Sequence, residues 1–534
     1  MTSIGRFLVI VSLVLFLFTG QGFAATPQQT ASSGGKLSYG LTLSPSGIDP
    51  HVNASSELGI PLTSVYDPLV WETKQGTFVP GLAESWEISP DGRTYTFQLR
   101  KDVVFHDGTP FNAAAVKANI ERIVAPETKS QKAVLMLGPY DHTEVVDDYT
   151  VRLVLHEPFA PLLSALSQVY LAMASPAALQ QWGVDYQMHQ VGTGPFQFKE
   201  YIPGDHLTLL ANPDYNWAPD FFAHQGRPYL DEIEFRFFTE PAVRALALEG
   251  GEVQVMGEIP PLDAVRLESD ASLQVLPVAI PGQTLQVFIN TAKPPTDDLT
   301  VRRALLYATD RQTIVNTLFG GFSPVAEGPL SSITFGFDPA IAGKYPFDPA
   351  KAGQLLADAG WVDRNGDGMR EKDGQPLRLD AYLMTWGFIP EIAVMLQAQL
   401  KDVGIALQNE TVTYPAALDA ARAGKHHLIP FNLSDADPDA LRTFFDSANT
   451  PDGFNWSKIV DAELDRLLLD GARTLNLEER ARIYREIQQR IMDEALIIPI
   501  REYVNINAAS ARVNGLQYDV RGWFPLFYDV YLEP

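Results

Sequence analysis

The 534-residue sequence contains no cysteine. That excludes disulfides, a thiolate zinc site and attachment through a lipid-modified N-terminal cysteine. Basic residues are scarce: 40 Lys and Arg face 65 Asp and Glu, for a net charge of −25. A surface of that sign repels phosphate backbones and anionic lipid, so nucleic acid and membrane surfaces are poor partners. Long apolar runs are missing after residue 24, and no later segment reads as a bilayer span, which needs roughly 20 apolar residues. Catalytic signatures are missing too. None of the nine histidines forms H-E-x-x-H, and no G-x-S-x-G elbow, Walker A loop or G-x-G-x-x-G is present.

What is there begins with an export signal. Residues 1–24 carry one positive charge, Arg6, then an apolar run from Phe7 to Phe18 and the small-residue ending Gly22-Phe23-Ala24, the pattern of a secretory signal peptide. Residues 25–35 are small and polar and read as a flexible leader. The expected product is an exported protein that diffuses freely in a Gram-negative periplasm. A chain this long predicts two or three domains.

Alternating runs at residues 36–44, 93–100 and 149–157 have the two-residue period of half-buried strands, and Ser89-Pro90-Asp91-Gly92 predicts a hairpin turn. Two more strands are expected around Pro203-Gly204. Helices are expected after Asn112, from Pro241 to Gly250, from Pro390 to Gly404, and after Asn476, where Glu479 occupies the capping-box position and Ile483, Ile487 and Ile491 form a stripe. This alternation predicts α/β lobes with a more antiparallel region early in the chain. No clean linker follows Lys36, which favours lobes tied by crossing strands; residues 285–290 and 496–504 are the candidates.

Three stretches imitate chemistry. His106-Asp107 in "FHDGTPFNAAAVKANIERI" reads as a strand end and turn rather than half of a catalytic pair. "GTGPF" (192–196) has proline where a phosphate-binding helix would begin. "DRNGDGMREKDG" (363–374) matches the first half of a calcium loop but ends in Gly374, where a bidentate glutamate is needed, so a polar hairpin is the better reading.

Several segments together resemble a known family: "GLAESWEISPDGRTYTFQLRKDVVFHDGTPFNAAAVKANIERI", "VGTGPFQF", "LQVFINTAKPPTDDLTVRRALLYATDRQTIV", "FDPAKAGQLLADAGW", "SDADPDALRTFF" and "ERARIYREIQQRIMDEALIIPI". They are similar, in order, to the family 5 (peptide/nickel-binding) extracytoplasmic solute-binding proteins of ABC importers. The resemblance implies an α/β, two-lobed periplasmic-binding-protein fold of type II, cluster C, with an extra domain in the N-terminal lobe. Mapped here, lobe I is 36–64, 190–284 and 498–534, the extra domain 65–189, and lobe II 285–497. It implies a monomer that closes on a peptide or similar solute and delivers it to the permease's transmembrane subunits, without cofactor, metal or catalysis. A ligand-presenting partner of a chemoreceptor and an exported hydrolase are the alternatives.

Site residues follow from the same resemblance. Peptide binders grip the ligand's α-ammonium with an aspartate four residues before the proline of an Asp/Glu-Pro pair. Here the pair is Asp437-Pro438, that position is Ser434, and Asp435 follows. Asp435 is therefore either the amine clamp or a cap for the next helix. The nickel pattern, an arginine before Ser-Pro and a histidine after Asp-Pro, is absent around residues 167–176 and 437–458. Tyr170, Trp386 and Phe388 are expected to contact ligand. Trp386 lies after a strand and before a helix, where α/β lobes present their binding loops. Asn53, Ser56 and Glu57 are the polar candidates from lobe I. Glutathione, opines and sugars remain open as ligands.

Overall fold

The computed structural model describes residues 33–45, 47–74, 76–450 and 453–534. The expected signal peptide and most of the leader lie outside them. Among the described residues no helix is long and apolar enough to cross a membrane.

Two mixed sheets organise the molecule. The first has seven strands. Its central strand, Lys36–Leu41, runs parallel to Glu232–Phe237 and to Val255–Met256. The antiparallel strands His206–Ala211 and Phe196–Ile202 extend one side, and Val504–Ser510 with Leu273–Ala279 extend the other. The second has five strands: Arg378–Leu383 lies parallel to Ala406–Thr411 and Leu428–Phe431, with Leu285–Ile289 and Ile497–Arg501 closing the antiparallel side. A separate four-stranded antiparallel sheet, Ala83–Ile88, Thr94–Leu99, Thr150–Leu155 and Tyr140–Asp147, holds the early part of the chain.

Burial follows this division. One apolar cluster joins Leu37 and Tyr39 of the seven-stranded sheet to Phe97 and Val116 of the antiparallel region, so that region is built onto the first lobe. A second cluster, from Leu285 to Ile500, fills the other lobe. Separate cores leave each lobe able to move as a body, because packed interiors resist deformation while the thin links between them do not. The chain crosses twice, at residues 280–284 and 502–503. Residues 285–289 and 498–501 pair inside the second sheet, so the first crossing falls just before the run expected from sequence, the second falls inside the expected 496–504 run, and 498–501 lie with lobe II rather than lobe I. Backbone pairing decides this: a continuous apolar run conceals where a strand changes partners.

The helices start where the capping residues predict. Asn112 accepts a hydrogen bond from the Ala115 N–H and opens Ala113–Val124, which buries Val116, Ile120 and Ile123. Asn476 does the same for Leu477–Asp493 through the Glu479 N–H. The capping box is not completed: the Glu479 carboxylate turns outward to Arg482. Asn476→Ala is expected to cost about 1 kcal/mol, since a helix donor loses its only side-chain partner there. A shift in the urea midpoint at constant slope would measure it.

His106-Asp107 and the 192–196 turn are structural. His106 Nε2 meets the Gly194 carbonyl at 2.9 Å, and burial lowers its pKa to about 4. Asp107 ties the turn to Thr109 and Ser175. A side chain at Gly192 or Gly194 would strike the backbone of Ser64 and Val65, so both glycines serve close packing. In the 363–368 loop, Asp363 accepts N–H bonds from Gly366 and Gly368, one on each carboxylate oxygen, which shapes the turn.

A candidate ligand cleft between the lobes

The carboxyl ends of the parallel strands of both lobes face one another, the place where open α/β sheets bind ligands. A cavity of ≈ 470 Å³ lies there, with Leu43 and Glu258 from the first lobe and Phe319, Trp386 and Phe388 from the second, beside the crossing residue Tyr503. Trp386 follows the strand Arg378–Leu383 and precedes the helix Ile389–Asp402, as expected. It is 36% exposed and packs edge-on against Phe431 at 5.6 Å. Phe388 is also 36% exposed, stands edge-on to Phe319 at 5.4 Å, and adopts φ +63° at the helix N-cap. A bulky residue in the left-handed region costs energy and persists only where its surroundings enforce it, commonly at binding sites. Truncating Trp386 to alanine is expected to weaken ligand binding by about 1–2 kcal/mol, the scale for an aromatic contact at a binding surface. Titration calorimetry on the variant checks this, and unchanged affinity would make Trp386 a packing residue only.

Tyr503 contacts Trp523 at 5.5 Å, and this aromatic pair leads toward a charged group two residues away at Arg521. The Arg521 guanidinium is buried and donates from Nη2 to Glu72 (2.9 Å), the Ser164 carbonyl (2.9 Å) and the Ser167 hydroxyl (2.9 Å), while Nη1 lies 3.4 Å from Asp519. Lys132 places its ammonium 3.9 Å over the Tyr170 ring. From the second lobe Asp435 faces both cations. Burial raises the Asp435, Glu72 and Asp519 pKa values, and the arginine opposes this in each case. Burial lowers the Lys132 pKa to about 8, with Asp435 pulling it up and Arg521 pushing it down.

The predicted residues therefore fall into separate groups. Trp386 and Phe388 line the cavity. Asp435 and Tyr170 meet around Lys132, but Tyr170 is 0% exposed and its hydroxyl donates to the Ser55 carbonyl. That is a correction to its expected place as a ligand contact: it is a seat for the Lys132 ammonium. Ser434 pairs through its backbone with Gly282 of the first crossing. Gly282 has φ +102°, and a Cβ there would strike the Asp435 backbone, so only glycine lets the hinge approach this loop. Asp435 accepts the Asp437 N–H at 3.1 Å, while the helix Ala440–Phe445 has Asp439 at its N-cap, so Asp435 shapes the preceding turn and is not the helix cap. Asp437 itself is taken by Arg480, with oxygens at 2.7 and 2.8 Å, and Arg442 pairs with Asp439. Asn53 packs its amide over Gly47, and Ser56 is exposed at the start of the helix Ser56–Leu62. The Glu57 side chain lies outside the description.

The profile of the family described as bacterial extracellular solute-binding proteins, family 5, matches residues 77–455. The chain belongs to this family. It is 31% identical over 440 residues to the glutathione-binding protein GsiB of Salmonella typhimurium, covering 81% of this chain and 82% of the relative. It is also 31% identical over 505 residues to di/tripeptide-binding protein 1 of Pseudomonas aeruginosa, covering 89% and 90%. Among solved structures, NikA from Brucella suis in complex with Fe(III)-EDTA superposes with a TM-score of 0.82 at 27% identity, over 93% of this chain and 100% of that one. DppA from Helicobacter pylori in complex with the peptide STSA gives 0.75 at 26%, over 94% and 99%. This family 5 chain thus has the two-lobed fold with an extra domain, and it is a solute-binding protein of the ABC-importer type. Its family is one of transport binding proteins.

The family resemblance pointed to Asp435, whereas Lys132, Glu72 and Arg521 went unnoticed. Nothing local marks them: they meet only through packing of segments as much as 449 residues apart. Arg501, which also lines the interlobe cavity, did carry a visible signal, a charge inside the apolar run "LIIPIREYV".

Proposed function

We propose that this protein, exported to the periplasm, closes its lobes on a peptide or peptide-sized amine-bearing solute and hands it unaltered to an ABC permease. The observation that carries this reading is that Asp435, on the second lobe, faces Lys132 and Arg521, on the first, while Trp386 and Phe388 wall a cavity lined from the same two lobes. A ligand held by groups on both lobes favours the closed form by its differential affinity, and the permease reads closure. The extra domain already touches the second lobe in this conformation: the Ala160 N–H donates to the Ala472 carbonyl, and Arg473 pairs with Glu157.

Peptide chemistry fits the site because a free α-ammonium meets a carboxylate that the hinge loop holds in place. Asn53, Ser56 and Glu57 serve in this reading as further first-lobe contacts, and the backbone bridge of Ser434 to Gly282 supports the loop that carries Asp435. The protein acts as a monomer, in this reading, with the permease's transmembrane subunits as its partner. Native mass spectrometry of the purified protein tests it: a retained peptide-sized guest, released unchanged on denaturation, is the expected result. X-ray scattering should show a smaller radius with ligand than without. A guest recovered chemically converted would overturn the reading.

A further inference from the structure

Five arginines are buried among the described residues: Arg244, Arg302, Arg480, Arg501 and Arg521. Four have a carboxylate close by, Glu258 at 3.8 Å, Glu494 at 3.8 Å, Asp437 at 2.7 Å and Glu72 at 2.9 Å respectively. Arg501 has none among the described residues. It is 3% exposed, its Nη1 donates to the Ser323 hydroxyl at 3.1 Å, and its buried Nε has no acceptor. Its planar group is clamped between the rings of Phe319 and Tyr503, each 4.1 Å away. It also lines the interlobe cavity that holds Trp386 and Phe388.

An arginine withdrawn from water without a counter-charge is costly, and two ring faces offset only part of that cost. In a chain with 65 acidic residues, a carboxylate partner is easy to supply from within. Stacking fixes the plane of the guanidinium and Ser323 takes Nη1, while no carboxylate among the described residues meets the Nε edge, the fork that receives a carboxylate through two parallel hydrogen bonds. The neighbouring wall includes an apolar part, where Leu43, Trp386 and Phe388 keep exposed surface, and polar members in Thr385, Glu391 and Asn505. Glu258, across the cavity, is occupied by Arg244.

We infer that Arg501 is the anchor for a ligand carboxylate, and that the cavity takes the carboxyl end of a short peptide whose last side chain is apolar. This rests on the peptide reading above and deepens it: the ligand would lie with its ammonium toward Asp435 and its carboxylate on the crossing strand. Because residues 502–503 follow directly, binding there would load the hinge itself.

The test compares two probes on the full-length protein by native mass spectrometry and calorimetry: a mixture of di- and tripeptides ending in Leu or Phe, and the same mixture with amidated carboxyl ends. The wild type is expected to bind the acids roughly 30-fold more tightly than the amides, the scale for removing a charge-assisted bidentate pair. Arg501→Met, which keeps most of the packing volume, should bring acids and amides within about threefold of each other by weakening the acids alone. Arg501→Lys should recover part of the preference. Equal affinity of the wild type for acids and amides overturns the Arg501 assignment and leaves the peptide reading standing. Retention of neither mixture overturns both. Should Arg501→Met fail to fold, the acid-to-amide ratio of the wild type still decides.

Discussion

Arg521→Met should destabilise the protein by about 3–5 kcal/mol, the cost of stranding a buried charge by removing its partner. Arg521 is 6% exposed and its strongest partner, Glu72, has a side chain that is 7% exposed. Without the guanidinium, Glu72 and Asp519 remain in a site that already raises their pKa values through burial. Ser164 and Ser167 lose a shared donor as well. Urea unfolding near pH 7 measures the loss, and a deficit below 1 kcal/mol would mean that water reaches these carboxylates.

The same variant has a defined pH dependence. A carboxyl group whose folded pKa exceeds its unfolded value binds a proton more readily in the native state, so stability falls as pH rises between the two values. Removing Arg521 lifts the folded pKa values of Glu72 and Asp519 further. The deficit of the variant should therefore be largest above those raised values and shrink as pH falls toward the ordinary carboxylate range. A deficit that grows on acidification would contradict the electrostatic origin.

Asp435→Asn is expected to weaken binding of free-amine peptides by about 2–3 kcal/mol, because it removes the carboxylate half of a desolvated charge pair. Asparagine retains an oxygen to accept the Asp437 N–H, so the turn should persist. N-acetylated peptides supply the control. They have no ammonium to lose, and their weaker affinity should be the same in wild type and variant. An equal loss for both probes would assign Asp435 to loop shape alone.

Trp386, Tyr170 and Asp363 illustrate how far the sequence reaches. Trp386 was recognisable because a strand, a short loop and a Pro390-initiated helix are consecutive in the chain, and α/β lobes place ligand loops at that junction. Tyr170 looked like its counterpart, an aromatic in a loop-like stretch. Its burial depends on Lys132 and the Ser55 carbonyl, both distant in sequence. The hydrogen-bond count of Asp363 was legible only in part. Its loop pattern was visible, whereas its acceptance of the Gly366 and Gly368 N–H groups required coordinates.

The amino-acid order alone determined the α/β class, the family, the capped helices and the exclusion of thiol chemistry, because each depends on neighbours within a turn or a strand or on composition. Only the tertiary structure decided where the chain crosses between lobes, that Asp437 is spent on Arg480, and that Arg501 is left without an acid. Charge compensation is settled by distances of a few ångströms between groups that the chain order leaves hundreds of residues apart.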